Sequence, residues 1–129
     1  MQLKFCSVMV KDQDEALNFY TNILGFEKVT DISNGGFRWL TVKSSEGVEG
    51  VELLLEPMNF PPAIVFQKAL YDAGVPATIF VTNNIKEEYD RLKNLGVKFR
   101  GEPQKMGPAT TTLFEDTCGN LINLAQIGE

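Results

Sequence analysis

A repeat in the order of its elements narrows the folds open to this chain more than any other feature. Asp12 corresponds to Asn84 and Leu17 to Tyr89 at an offset of 72 residues, whereas Gly25 corresponds to Gly96 at 71. Leu24-Gly25-Phe26 returns as Leu95-Gly96-Val97. The change of offset places one residue more in the first helix than in the second. Each copy spans about 55 residues, too few to bury a core well. The two copies are therefore expected to pack against each other or against a second chain.

Local signals give both copies the order βαβββ. Residues 3–10 are apolar and β-branched and read as a buried strand. Asp12 or Asp14 then caps a helix that starts at Glu15, carries Ala16, Leu17, Tyr20, Ile23 and Leu24 on one face, and stops at Gly25. Strands follow over residues 26–31, 37–43 and 51–56, the first two joined through Asn34-Gly35-Gly36. A Pro-rich connector and a short helix over 63–73, ending at Gly74, lead to the second copy. There the strand covers 77–82, Asn83 or Asn84 caps a helix ending at Gly96, and strands follow over 98–101, 110–114 and 121–125. The expected fold class is α+β. One domain covers residues 1–129, with module one at about 1–56, the connector and helix at 57–75 and module two at about 76–129.

Composition excludes much chemistry. The chain has no histidine, which removes the serine and cysteine triads that use imidazole and every His-containing metal site. A net charge of -5 argues against nucleic acid as a partner, because phosphate binding needs clustered Lys and Arg. Cys6 and Cys118 form no Cys-x-x-Cys pair and read as buried, reduced thiols. No apolar run has the length of a membrane span, and no signal peptide is apparent at the N-terminus. The expectation is a cytoplasmic protein with no membrane partner.

Several stretches resemble a known superfamily. Val10-Lys11-Asp12-x-Asp14-Glu15-Ala16-Leu17-Asn18-Phe19-Tyr20-x-x-x-Leu24-Gly25-Phe26 is similar to the opening signature of the vicinal oxygen chelate proteins, which include glyoxalase I, bleomycin and fosfomycin resistance proteins and extradiol dioxygenases. Phe37-Arg38-Trp39-Leu40-Thr41-Val42 resembles a third strand in that group. Tyr89-x-x-Leu92-x-x-x-Gly96-Val97 and Phe114-x-Asp116-x-x-Gly119-Asn120-x-Ile122-x-Leu124 resemble its second helix and closing strand. The resemblance implies two βαβββ modules whose mixed sheets curl into a cup holding the site, and a homodimer. It also implies metal ligands of His, Glu or Gln type on the first and last strand of each module. Those positions fall here on Phe5, on Ala77, on Asn123, and on Leu54 or Glu52. Side chains of this kind make a poor anchor for a divalent ion. No metal and no other cofactor is expected.

Alternation assigns the faces of the strands. Phe5, Ser7 and Met9 on the first strand face the cup, as do Phe37, Trp39 and Thr41 on the third. Glu52, Leu54 and Glu56 take the same side of the fourth. In module two the cup side carries Thr111 and Leu113, and Asn123 with Leu121 and Ala125. The candidate ligand-binding residues are Phe5, Ser7, Met9, Trp39 and Thr41, then Glu52, Leu54, Thr111, Leu113 and Asn123. Trp39 suits stacking on a planar ligand as well as core packing or a dimer contact. Glu52 and Glu56 suit a basic ligand, but strand-end carboxylates are more often solvated. Parity turns Arg38 away from Trp39. Asp116 and Gly119 read as turn chemistry around Cys118, and Tyr20 and Tyr89 as core. The functional expectation is a small-molecule binding protein without the family metal site. The alternative is a lyase, isomerase or dioxygenase-like enzyme using an oxygen-only metal site or none.

Overall fold

The computed structural model describes residues 1–128. The chain divides into two compact units, Met1–Val65 and Phe66–Glu129, and each contains one four-stranded sheet. Unit one runs β1 (Phe5–Val10), α1 (Gln13–Asn18), β2 (Glu27–Asn34), β3 (Phe37–Lys43) and β4 (Glu52–Pro57). The division falls inside α2 (Pro61–Ala73). Unit two continues with β5 (Thr78–Val81), α3 (Ile85–Asn94), β6 (Gln104–Met106), β7 (Ala109–Glu115) and β8 (Leu121–Ile127).

The sheet orders are β1-β4-β3-β2 and β5-β8-β7-β6. In each sheet the first and last strands pair in parallel and the remaining pairs are antiparallel. A parallel pair needs a crossover. The helix and two strands between β1 and β4, and between β5 and β8, supply it. Both sheets are mixed and open, as the α+β reading requires.

Helix ends follow the capping residues. Asp12, not Asp14, caps α1: its carboxylate accepts from the backbone N–H of Asp14 and Glu15 at 2.9 and 3.0 Å. Asn84 does the same for α3 through Glu87 N–H. Beyond Asn18 the first helix continues as a π-helical turn, Phe19–Ile23, in which Leu24 N–H donates to Phe19 O five residues back. A π turn absorbs one extra residue in a helix. That accounts for the offset falling from 72 to 71 across it, because α3 is a plain α-helix. Gly25 and Gly96 then both turn the chain at positive φ, +86° and +91°.

The face of sheet one that carries Val8, Val10, Leu40, Val42 and Leu55 is buried together with Ala16, Phe19 and Tyr20 of the helix. Each large apolar side chain so buried contributes about 1.5–3 kcal/mol. In unit two the corresponding core is Phe114, Ile122 and Leu124 with Ile85, Tyr89 and Leu92, extended by Phe99 in edge contact with Tyr89 at 4.6 Å.

Two expectations need correction. Residues 98–101 do not form a strand; Phe99 makes one isolated bridge to Phe114, and the strand that pairs with β7 is Gln104–Met106. Gly101, Glu102 and Pro103 interrupt the segment, and proline has no N–H for a ladder. Cys6 is exposed, whereas Cys118 is buried as expected. Cys6 has the parity of the core face, but it lies near the start of β1, where Phe5, Cys6 and Ser7 are all exposed.

The turn before β8 is held by one buried carboxylate. Asp116 accepts from Cys118 N–H, Asn120 N–H and the Asn120 amide at 2.8, 3.1 and 2.8 Å. Gln67 of α2 donates to Asn120 Oδ1 and Cys118 O, tying that helix to the same turn. Replacing Asp116→Ala strands these donors, so the unfolding free energy is expected to fall by about 3 kcal/mol or more. Urea denaturation followed by far-UV circular dichroism checks this; an unchanged midpoint refutes it.

Candidate functional site

Each sheet has a second face, opposite its helix, and strand register fixes what lies there. In sheet one Ser7, Leu54 and Thr41 stand side by side across β1, β4 and β3. Phe5 pairs with Glu52 and Met9 with Glu56, while Trp39 lies beside Ile32 of β2. All seven residues expected from this unit, Phe5, Ser7, Met9, Trp39, Thr41, Glu52 and Leu54, thus share one face.

In sheet two Ile79, Asn123 and Leu113 stand side by side across β5, β8 and β7. Thr111 pairs with Ala125, so Thr111, Leu113 and Asn123 also share a face. The ten candidates accordingly fall on two sheets, seven on one and three on the other.

The face of sheet one is aromatic beside a closed polar pair. Phe5 and Trp39 meet edge to face with centroids 5.2 Å apart and ring planes at 81°. On the same face Thr41 is buried, and its hydroxyl donates to Glu52 Oε1 at 2.7 Å. Lys4 donates to Glu52 Oε2 at 3.2 Å and lies over the Phe5 ring at 5.4 Å. Glu52 is therefore not a solvated strand-end carboxylate: its side chain is 13% exposed and both oxygens are engaged. The hydroxyl of Thr41 chiefly, helped by Lys4, holds its carboxyl below the usual value against the opposing effect of burial.

The opposite face shows why Arg38 takes no part. Its guanidinium binds Asp31 through two nitrogens, at 2.8 and 2.9 Å, and Asp14 at 2.7 Å. Asp31 is held below its ordinary value mainly by this hydrogen bond. Gln13 supports the same edge. β3 and β4 pair at Thr41 with Leu54 and Val42 with Leu53. Past that point the Gln13 amide donates to Arg38 O and Leu55 O at 3.1 and 2.9 Å, taking the place of ladder bonds.

The face of sheet two is apolar around one amide. Leu121 and Ala125 are buried, and Ile79 and Val81 are exposed by 58% and 60%. Asn123 sits between Ile79 and Leu113, and its Oδ1 is buried with no hydrogen-bond partner. At one edge Tyr71 of α2 donates to Glu115 Oε1 at 3.0 Å, and Arg100 binds Glu115 Oε2 while stacking on the Tyr71 ring at 5.1 Å. Sequence reasoning missed Lys4, Ile79, Val81 and this Tyr71 cluster. Alternation within β5 was signal enough for Ile79 and Val81; the ion pairs join residues 48 and 15 positions apart and have no local signal.

The positions at which the resemblance implies metal ligands do not fit a divalent ion. Phe5 has no donor atom, Glu52 is committed to Thr41 and Lys4, and Asn123 lies between two aliphatic side chains. Among the described residues no group of three or more Cys, Asp or Glu side chains is placed to hold a metal.

The pH dependence of Glu52 follows from the direction of its shift. The unfolded chain takes up a proton at Glu52 at higher pH than the folded chain does. The stabilisation is therefore full above the ordinary carboxylate range and disappears as pH falls through the lowered folded value. Glu52→Gln is expected to lose about 1–2 kcal/mol at pH 7 and progressively less as the pH falls below the ordinary carboxylate range. Thermal denaturation of both proteins across that interval measures it; a loss that does not diminish with acid refutes the assignment.

Comparison with known proteins agrees with this architecture. A family model described as Glyoxalase/Bleomycin resistance protein/Dioxygenase superfamily matches residues 2–124. The uncharacterized protein YurT of Bacillus subtilis (strain 168) is 49% identical over 126 residues, covering 98% of this chain and 99% of YurT. Among solved structures, UcmS2 superposes with a TM-score of 0.82 at 31% identity, with 97% of both chains covered. TnmS3, an antibiotic binding protein from Streptomyces sp. CB03234, superposes with a TM-score of 0.77 at 26% identity, covering 99% of this chain and 97% of its own.

Proposed function

This chain belongs to the glyoxalase/bleomycin resistance protein/dioxygenase superfamily, and on that premise we propose that it is a small-molecule binding protein that works without the superfamily's metal. The observation that carries the reading is the sheet-one face. Where a metal site needs free donors, the face presents the Phe5–Trp39 pair beside a carboxylate already paired with Lys4 and hydrogen-bonded by Thr41. Edge-to-face rings of this kind offer flat, apolar, weakly polar surface to an aromatic ligand. The antibiotic binding protein among the structural neighbours supports the same class of function. Under this reading Ser7, Met9 and Leu54 line the aromatic pair on sheet one, and Thr111, Leu113 and Asn123 form the corresponding face of sheet two, each face taken by itself.

The test combines metal content with binding. Elemental analysis of the purified protein is expected to find no stoichiometric transition metal. Calorimetric titration with 2-naphthol, a planar neutral probe, is expected to show saturable binding. Trp39→Ala is expected to weaken it about tenfold or more, the effect of losing an aromatic anchor. A stoichiometric metal accompanied by turnover, or no saturable binding of the probe, overturns the proposal.

Self-association and location are part of the reading. Phe60, Ile64, Val65 and Phe66 are exposed by 48–70% on and just before α2, an apolar strip of the sort that marks contact surfaces. We assign it a second copy of this chain. Light scattering is expected to give twice the 14.4 kDa chain mass, and Val65→Glu with Phe66→Glu to return the single-chain value. A wild-type chain that scatters as a monomer overturns it. Both cysteines are free, as suits a reducing cytoplasm. No described helix is long and apolar enough to cross a membrane.

A further inference from the structure

Equivalent positions of the two sheets carry opposite chemistry. The row Ser7, Leu54, Thr41 in sheet one corresponds to Ile79, Asn123, Leu113 in sheet two, with the outer members displaced by 72 residues in each case. Polar–apolar–polar has become apolar–polar–apolar. In the first row the buried hydroxyl has its partner, since Thr41 donates to Glu52 at 2.7 Å. In the second the polar member has none. Asn123 Oδ1 is the one buried side-chain oxygen or nitrogen among the described residues that is left without a hydrogen bond.

Asn123 as a whole is half-buried, but its Oδ1 is buried and unsatisfied, which is destabilising in a way that a leucine at its place in the row would not be. The neighbours do not supply a partner either. Ile79, Val81, Leu121 and Ala125 are aliphatic, and the Thr111 hydroxyl faces Met106 Sδ at 3.6 Å. The exposure of Ile79 and Val81, at 58% and 60%, leaves the surface beside the amide open to solvent. The group missing from the arrangement is a hydrogen-bond donor brought from outside on an apolar body.

We propose that Asn123 is the specificity-determining anchor of the ligand, and that the ligand is a neutral, mainly apolar ring compound bearing an O–H or amide N–H that donates to Asn123 Oδ1. This rests on the reading of the chain as a small-molecule binding protein and names the ligand class within it. Neutrality follows from the surroundings. A charged group laid between Ile79 and Leu113 gives up its hydration with no counter-charge in that row. A neutral donor recovers a hydrogen bond that the free protein lacks.

A matched pair of probes tests this: 2-naphthol, and 2-methylnaphthalene, which has a methyl group in place of the hydroxyl. On apolar burial alone the methyl compound binds more tightly. Wild-type protein is expected to reverse that order and favour 2-naphthol about tenfold or more in calorimetric titration. With 15N-labelled protein, the Asn123 side-chain NH2 resonances are expected to shift more with 2-naphthol than with 2-methylnaphthalene, whose ring current alone acts on them. Asn123→Leu is expected to keep or raise the melting temperature of the free protein and to restore preference for 2-methylnaphthalene. If wild type binds both probes but does not prefer 2-naphthol, the assignment of Asn123 is wrong while the binding function stands. If wild type binds neither, the binding function itself is overturned. A marked fall in melting temperature for Asn123→Leu shows that the amide has a structural partner and also overturns the assignment.

Discussion

The parallel pairing of the first and last strand in each module governs the rest of the structure. Once β1 lies beside β4 and β5 beside β8, the intervening chain must cross over, and its helix packs on one side of the sheet. That side is closed by Val10, Leu40, Leu55 and Tyr20 in one module, and by Phe114, Ile122 and Leu92 in the other. The pleat then commits every alternate residue to the other side, and a slip of one position would exchange the two sets. The faces available to a ligand are therefore a consequence of ladder register before they are a matter of side-chain chemistry.

On those faces the two modules have diverged in how they satisfy polarity. In module one the buried polar pair of this face is internally matched: Thr41 and Lys4 occupy both oxygens of Glu52. The result is a face without net unpaired charge in this cluster, covered by rings. In module two matching is confined to the edge, where Tyr71, Arg100 and Glu115 bind one another. The centre, Asn123, is unmatched. The same backbone pattern thus supports a self-contained aromatic surface in one sheet and an unsatisfied polar point in the other.

Local rules were sufficient for much of this. Gly25 and Gly96 marked the helix C-termini, and the choices Asp12 or Asp14 and Asn83 or Asn84 marked the N-termini, because capping and positive φ are demanded by a few adjacent atoms; the folded chain selects Asp12 and Asn84. Alternation placed Trp39 and Thr41 on one side of β3 and Arg38 on the other. The offset change from 72 to 71 was visible as a count, but its form, a π turn at Phe19–Ile23, depends on which carbonyl each N–H selects. The assignment of residues 98–101 as a strand failed because their pattern is extended while Gly101 and Pro103 break the ladder beyond. The state of Glu52 could not be read locally. Its partners come from Lys4, 48 positions away, and Thr41, 11 positions away, and only the folded sheet brings them together.

The absence of histidine acquires a physical meaning from this geometry. A face that held a divalent cation would need several unengaged oxygen or nitrogen donors converging on one point. Here Phe5 stands in the row of Glu52, and the Glu52 oxygens have protein donors of their own; restoring one histidine would still leave that carboxylate bound to Lys4 and Thr41. A metal site would require undoing the ion pair and displacing the ring beside it, changes at residues on β1, β3 and β4 together. The departure from the usual ligand set is thus built into a cooperating group of residues. The same group creates the aromatic surface, so substitutions that favour a metal would dismantle the Phe5–Trp39 contact.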